Sequence, residues 1–490
     1  MISKATLKFV RVAPRKLRQV IELVKGEPVA KALHILNNTN KTVISINLPV
    51  TYPPFKINGA MVSDCQLTPS KDCNFTYPVD LFAKVGWNKD DYILSVKRLG
   101  YYNDGQEIDF LQDITKSTER RAEFTLHLME NINWDLCTVV FTETDWLQHK
   151  LLHYIDRTHP YYNDKFKLLI NDYFSKVDKI IYNLVEKASK DTSVFIISDH
   201  GFGPSKGKIY INSLLKSLGL LKVKKIWLKE IFIDFQDKLR SFLNQKSTLY
   251  RNSKNIIKSL SKFRKERGSP QDFSKTKHVL SRIKLFSLID WSRTKAYFIG
   301  DTGATIFINS DRNNYAEIHN KITKALKEIS NPETKTPLNF QVYQKKDIYH
   351  GPYFDVAPDL VLDSNSGYKF VLDANSKMLF HKTTKRIWNH HYREGILVMS
   401  GSNINGNMLI RSASIMDIAP TILYLLGIPV PDDMDGKVLT EGIKEDFLKH
   451  NPIMSQKSNT ESKDESSEKV YSKEDMSKIK EHLADLGYID

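Results

Sequence analysis

The chain has 490 residues, a formal net charge of +15 and 41% hydrophobic residues, which allows a sizeable core in two or three domains. Three cysteines without CxxC spacing exclude a disulfide framework and a cysteine-rich zinc module. No apolar run approaches the ~20 residues that cross a bilayer, and no secretory signal pattern opens the sequence. The expectation is a cytoplasmic protein without a transmembrane segment.

Residues 1–41 form a short basic segment at the start of the chain. Its apolar residues recur at helical spacing, as in Leu17, Val20, Ile21 and Val24, which predicts a basic amphipathic helical hairpin. Such a segment also suits contact with the phosphate backbone of RNA. The candidate RNA-binding residues are Lys4, Lys8, Arg11, Arg15, Lys16 and Arg18.

From residue 42 onward, predicted strands and helices alternate, and this order favours an α/β fold with a doubly wound, mostly parallel sheet. The predicted elements, in chain order, are a strand over 43–48, a helix over 119–132, a strand over 135–142, a helix over 163–188, a strand from 193, a strand over 304–309, a helix over 314–329, a strand over 360–363, a strand over 395–400 and a helix over 415–426.

Two other segments interrupt or follow this pattern. Residues 204–289 carry most of the excess positive charge and an amphipathic stripe, which predicts a basic helical cap inserted between strands of the sheet. The α/β domain is expected to cover 42–449. Residues 450–471 are polar and lack apolar periodicity, so they are predicted to be a flexible linker, and 472–490 are predicted to form a closing helix.

Aspartate and histidine residues follow or precede three of the predicted strands. Asp199 and His200 come directly after an apolar strand, and Asp145 and His149 are four residues apart at the start of a predicted helix, on one face. His391 precedes another apolar strand. Carboxylate oxygens and imidazole nitrogens are the ligands that zinc prefers. The sequence therefore predicts a metal site where the strand ends meet.

Several of these motifs together resemble the type I phosphodiesterase/nucleotide pyrophosphatase branch of the alkaline phosphatase superfamily. They are D-x-x-x-H over 145–149, S-D-H-G over 198–201, H-x-x-x-G-I-L over 391–397 and the segment 417–423. The resemblance implies hydrolysis of phosphodiester or nucleotide pyrophosphate bonds with two divalent ions, expected to be zinc.

The same resemblance assigns a role to each candidate ligand. It implies that Asp145, His149 and His391 bind one ion and that Asp199 and His200 belong to the second. The neighbouring His390 is expected to pack or to support the site. In the family, a further metal-binding aspartate and a nucleophilic threonine or serine precede the strand at 43–48, and this sequence has no counterpart of them. The second metal site is therefore expected to be incomplete and the hydrolase activity impaired.

Residues 4–18 and 29–41 resemble the start of large-subunit ribosomal protein twenty-two, a family that binds ribosomal RNA. The match stops near Lys41, before most of that fold. Two alternatives to an impaired hydrolase therefore stay open. One is a ribosomal RNA-binding protein with an unrelated extension. The other is an inactive chimera of two gene fragments.

Overall fold

The computed structural model describes residues 35–96, 105–203, 207–224, 289–299, 304–309, 312–331, 334–338, 341–350, 354–363, 368–372, 379–381 and 390–457. Several predictions lie outside these residues. They concern the candidate RNA-binding residues, nearly all of the amino-terminal segment, most of the basic cap, most of the linker and the closing helix.

The first sheet contains the parallel strands that the sequence predicts at the start of the α/β domain. Its strands are β1 (Val43–Leu48), β2 (Gly59–Ser63), β3 (Thr76–Tyr77) and β4 (Leu136–Val139), in the order β3-β2-β1-β4. β1 runs parallel to both β2 and β4, whereas β3 is antiparallel to β2. Nearly every residue of β1 is buried, as expected for a central strand covered on both faces.

In the described residues before β5, the α-helices are α1 (Leu81–Lys84), α2 (Glu107–Asn131), α3 (Glu143–Leu151) and α4 (Asp164–Lys187). The predicted helix over 119–132 is thus the second half of a longer helix. The predicted helix over 163–188 is confirmed, and Asn163 caps it by accepting a hydrogen bond from the Phe166 amide at 3.2 Å. Phe110, Phe124 and Trp146 pack with β1 in one buried cluster.

The remaining elements are β5 (Val194–Ile197), β6 (Gly201–Gly203), β7 (Gly207–Tyr210), α5 (Ile211–Ser217), β8 (Ala296–Ile299), β9 (Thr305–Ile308), α6 (Arg312–Lys327), β10 (Gln341–Gln344), α7 (Lys345–Ile348), β11 (Leu360–Asp363), β12 (Tyr368–Val371), β13 (Phe380–His381), β14 (His390–Tyr392), β15 (Leu397–Ser400), α8 (Ile418–Leu425), β16 (Val430–Pro431), α9 (Glu445–His450) and β17 (Ser455–Gln456). The predicted strand over 360–363 is present with the same bounds. The predicted strands over 304–309 and 395–400 and the helices over 314–329 and 415–426 are present with slightly different bounds.

The sheets combine parallel and antiparallel pairs, and the predicted α/β class is confirmed. β10, β11, β9 and β8 form a wholly antiparallel sheet in that order, with α6 against its core. Among the described strands, parallel pairs join β1 to β2 and β4, β7 to β12, and β16 to β17.

The apolar residues from 193 predict a buried strand that ends in a loop at the two glycines after His200, and the structure differs on both points. β5 is half-buried, and Ile197 is 41% exposed. Gly201–Gly203 form the strand β6 and not a loop. β5 pairs with β15 and β6 pairs with β14, both antiparallel. These pairings join the segment around His200 to the segment around His391.

Within the part of the chain that the structure describes, no helix combines the length and the apolar character needed to span a bilayer.

Candidate metal centre

Asp145 and His149 lie on α3, directly after β4, as the sequence predicts. Asp145 stands in the first turn and His149 near the last, and the i,i+4 spacing puts both side chains on one face. The Oδ1 atom of Asp145 is 3.7 Å from Nε2 of His149. The helix thus presents a carboxylate and an imidazole side by side at the end of the first sheet.

His200 reaches the same carboxylate from the connection between β5 and β6. Its Nε2 is 3.6 Å from Asp145 Oδ1. Its Nδ1 lies 3.2 Å from the carbonyl oxygen of Gly201. Because a carbonyl only accepts hydrogen bonds, Nδ1 is the protonated nitrogen if this bond forms, and Nε2 then carries the lone pair that a metal needs.

Asp199 does not join this group, although it precedes His200 in the chain. Its side chain is 72% exposed, and its Oδ2 is 3.5 Å from His200 Nε2. Four of the five predicted ligands therefore meet around Asp145. The fifth faces solvent beside one of them.

His391 enters the cluster from β14, not from a loop before a strand. It lies opposite Phe202 in the pairing of β14 with β6. Its Nε2 is 3.4 Å from Asp145 Oδ1 and 2.7 Å from His149 Nε2. The adjacent His390 shares the strand, but its side chain is not among the described ones.

The three imidazoles around Asp145 differ in how well their positions suit binding of a common metal ion. A zinc ion with ligands at ~2.0–2.1 Å in a tetrahedron separates ligand atoms by about 3.4 Å. His200 and His391 lie close to that separation from Asp145 Oδ1, at 3.6 and 3.4 Å. With donor atoms all within 4.8 Å of one another, Asp145, His200 and His391 form a triad that can hold a metal ion. His149, at hydrogen-bond distance from His391, lies beside this triad.

Phe202 is a site residue that sequence reasoning missed. Its ring meets the rings of His149 and His391 edge to face, with both centroids 4.8 Å away, and lies 5.2 Å from the ring of His200. One aromatic side chain therefore contacts all three imidazoles. The signal was the alternation G-F-G, which in a strand places a large residue on one face and two glycines on the other.

The threonine hydroxyls near the strand ends are engaged in structural hydrogen bonds. The Thr51 hydroxyl donates to the Leu48 carbonyl at 2.6 Å. That of Thr142 accepts from Asn47 at 2.9 Å, and that of Thr144 donates to the Phe141 carbonyl at 2.9 Å. All three hydroxyls therefore help to hold the chain segments at the strand ends.

A sequence profile of the type I phosphodiesterase/nucleotide pyrophosphatase family matches residues 18–393, about three quarters of the chain. The chain belongs to this family. The matched region includes all of the predicted metal ligands, and it begins inside the segment 1–41 that resembles a ribosomal protein. The predicted boundary between residues 41 and 42 therefore stays a prediction.

Solved structures of family members are distantly similar to this one. Human ectonucleotide pyrophosphatase/phosphodiesterase 5 is 13% identical, with 64% of this chain and 59% of that chain covered and a TM-score of 0.32. The murine protein of the same name is also 13% identical, with 64% of this chain and 60% of that chain covered and a TM-score of 0.33.

A short stretch matches a different protein, as the sequence suggests. The large ribosomal subunit protein uL22 of Halothermothrix orenii is 50% identical over 46 residues, which make up 9% of this chain and 41% of that protein. The chain thus spans less than two thirds of the length of each of these relatives.

Proposed function

We propose that this family member binds a divalent metal ion at Asp145, His200 and His391 and hydrolyses phosphodiester or nucleotide pyrophosphate bonds there. The observation that carries the proposal is the convergence on one carboxylate oxygen of imidazole nitrogens from three separate segments, at 3.4, 3.6 and 3.7 Å. A mixed nitrogen and oxygen donor set suits zinc and its neighbours in the first transition series.

A divalent ion bound there supplies positive charge for phosphoryl oxygens and acidifies a bound hydroxyl or water. The residues of the chain would bind the ion and hold its ligands in position. Asp145 supplies the anionic ligand, and His200, oriented by the Gly201 carbonyl, supplies a neutral one. Phe202 packs against the imidazoles and holds their rings in place. The triad side chains are 9–16% exposed, so the centre stays within reach of a substrate.

We expect a second ion to bind weakly and turnover to be slow. With His200 in the triad, only Asp199 remains of the two predicted ligands of the second ion, and its side chain is mostly exposed. Open coordination sets hold metal less tightly, and loss of a covalent nucleophile removes most of the rate. Water is then the remaining attacking group.

Metal analysis and hydrolysis of a p-nitrophenyl phosphodiester test this function together. The purified full chain should retain about one zinc or manganese ion and release p-nitrophenolate slowly, and Asp145→Asn should lose both properties. Asp199→Asn should lower metal content much less than Asp145→Asn, because its side chain stands outside the triad. A full chain without metal, or one whose hydrolysis is unchanged in Asp145→Asn, would contradict the proposal.

The ribosomal match favours a second candidate function, contact with ribosomal RNA through residues 1–41. The support is the 50% identity over 46 residues to a ribosomal protein and the basic residues Lys4 to Arg18. Salt-dependent co-sedimentation of the chain with ribosomal large subunits is the expected result. A chain that stays in the supernatant at low salt would contradict the proposed contact with ribosomal RNA and would leave the proposed metal centre untouched.

A further inference from the structure

A buried pair of opposite charges anchors the junction between β4 and α3, which delivers Asp145. Arg121 of α2 donates through Nη1 to Oε2 of Glu143, and both side chains are completely buried. The Ser117 hydroxyl, also on α2, donates to Oε1 of Glu143 at 2.5 Å. Glu143 is the first residue of α3 and stands two residues before Asp145. Both oxygens of its carboxylate are thus tied to the neighbouring helix.

A buried amide holds the chain on the other side of the junction. Asn47, at the end of β1, donates to the Val140 carbonyl at 2.8 Å and to the Thr142 hydroxyl at 2.9 Å. Oδ1 of the same side chain accepts a hydrogen bond from the Cys65 backbone amide at 2.7 Å. The residues that enter α3 are therefore fixed by β1 as well as by α2.

Because Glu143 and Asp145 lie on the same helix, fixing the side chain of Glu143 also fixes the direction in which Asp145 projects. Residues two apart on an α-helix differ by about 200° around its axis, so they project to opposite sides. Glu143 faces α2, and Asp145 faces the imidazoles of His200 and His391. A rotation of α3 that moved Asp145 off the cluster would break the bonds of Glu143.

Stability alone does not account for this pair. Burying two charges is costly, and well-packed apolar residues in place of a buried ion pair are often equally or more stabilising. Apolar residues pack without directional hydrogen bonds, so they would not fix the orientation of α3 as the ion pair does. We infer that Arg121, Glu143 and Ser117 are positioning residues that aim the Asp145 carboxylate at the metal site, an inference that rests on the proposed function.

The test compares cobalt binding by the full chain with binding by the double variant Arg121→Met/Glu143→Leu, which removes both charges together. Co²⁺ titration followed by visible absorption reports affinity and coordination geometry without any need for activity. Loss of supporting contacts around a metal ligand typically weakens binding 10–100-fold. We expect the double variant to fold, as judged by circular dichroism, and to bind Co²⁺ 10–100-fold more weakly with an altered spectrum.

The control removes an ion pair of the same kind from the surface. Lys176 and Asp172 of α4 are 3.2 Å apart and exposed, so Asp172→Ala/Lys176→Ala should bind Co²⁺ like the wild type. If the buried double variant fails to fold, Ser117→Ala, which deletes one hydroxyl, replaces it, with weaker Co²⁺ binding as the expected result.

The possible failures are distinguishable. A folded variant with wild-type affinity and spectrum overturns the positioning role and leaves the metal site intact. A wild-type chain that binds no Co²⁺ overturns both the proposed function and the positioning role.

Discussion

Asp64 is a carboxyl group enclosed by the backbone at the end of β2. It is 3% exposed, and its two oxygens accept hydrogen bonds from the amides of Gln66 at 2.8 Å and Val50 at 3.1 Å. Burial raises the pKa of Asp64 from 3.8 to about 6, although both amides and Arg121 act to lower it. The cost of removing the carboxylate from water thus outweighs the hydrogen bonds.

The pKa of Asp64 predicts how the free energy of unfolding depends on pH. The folded chain binds this proton more tightly than the unfolded chain, so the contribution is fully present below pH 3.8 and is lost as the pH rises to about 6. Between about pH 4.5 and 7 the loss amounts to about 2 kcal/mol.

Urea unfolding of the wild type and Asp64→Asn at these two pH values measures the effect. The fall in stability should be about 2 kcal/mol smaller in the variant, whose side chain does not titrate. The exposed Asp178→Asn on α4 should keep the wild-type dependence. An equal fall in Asp64→Asn and the wild type would show that Asp64 is ionised throughout.

Individual ligands differ in how well their sequence context predicts them. The spacing of Asp145 and His149 after a strand fixes their common face, because helix geometry is local. Asp199 and His200 looked like a pair, yet His200 joins Asp145 while Asp199 is exposed. Asp199 Oδ2 still lies 3.5 Å from His200 Nε2, so adjacency in the sequence alone does not tell which of the two side chains joins the cluster.

At the scale of elements, the pairing of β6 with β14 decides whether His391 reaches the cluster. This pairing depends on glycine at position 201. A Cβ atom there would lie 2.1 Å from the carbonyl oxygen of Glu394, a backbone atom of the connection between β14 and β15. Glycine therefore lets the two strands approach closely enough to bring His391 opposite Phe202.

Substitution of this glycine should uncouple the two strands. We expect Gly201→Ala to lower the free energy of unfolding by about 1–3 kcal/mol through overpacking and to weaken metal binding by at least about tenfold. Chemical unfolding and metal titration measure the two effects. Gly406→Ala, where a Cβ atom would meet nothing within 4 Å, is the matched control and should change neither. Wild-type metal affinity in Gly201→Ala would contradict the role given to this strand pair.

The long helix α4 was predictable, whereas the three-residue strands β6 and β14 were not, for a physical reason. α4 spans 24 residues and shows its apolar periodicity over several turns. β6 and β14 have three residues each, with sequences Gly-Phe-Gly and His-His-Tyr. Three residues are too few to predict which strand each segment pairs with, because the pairing joins residues nearly two hundred positions apart.

At the scale of the whole molecule, the metal cluster lies where separate sheets meet. β4 belongs to the sheet β3-β2-β1-β4, β5 pairs with β15, and β6 pairs with β14. Each delivers part of the ligand set, and no single element carries it. The order of strands was not predictable because it depends on long-range pairing. The extents of the domains, the cytoplasmic location and the RNA contact of residues 1–41 stay predictions.

Anomalous diffraction at the zinc absorption edge, from crystals of the full chain grown with zinc, tests the metal centre most directly. The predicted result is a peak about 2.0–2.2 Å from Asp145 Oδ1 and from Nε2 of His200 and His391. Its absence from crystals of Asp145→Asn would identify the carboxylate as the anchor of the ion. A wild-type map with no peak among these three side chains would contradict the account.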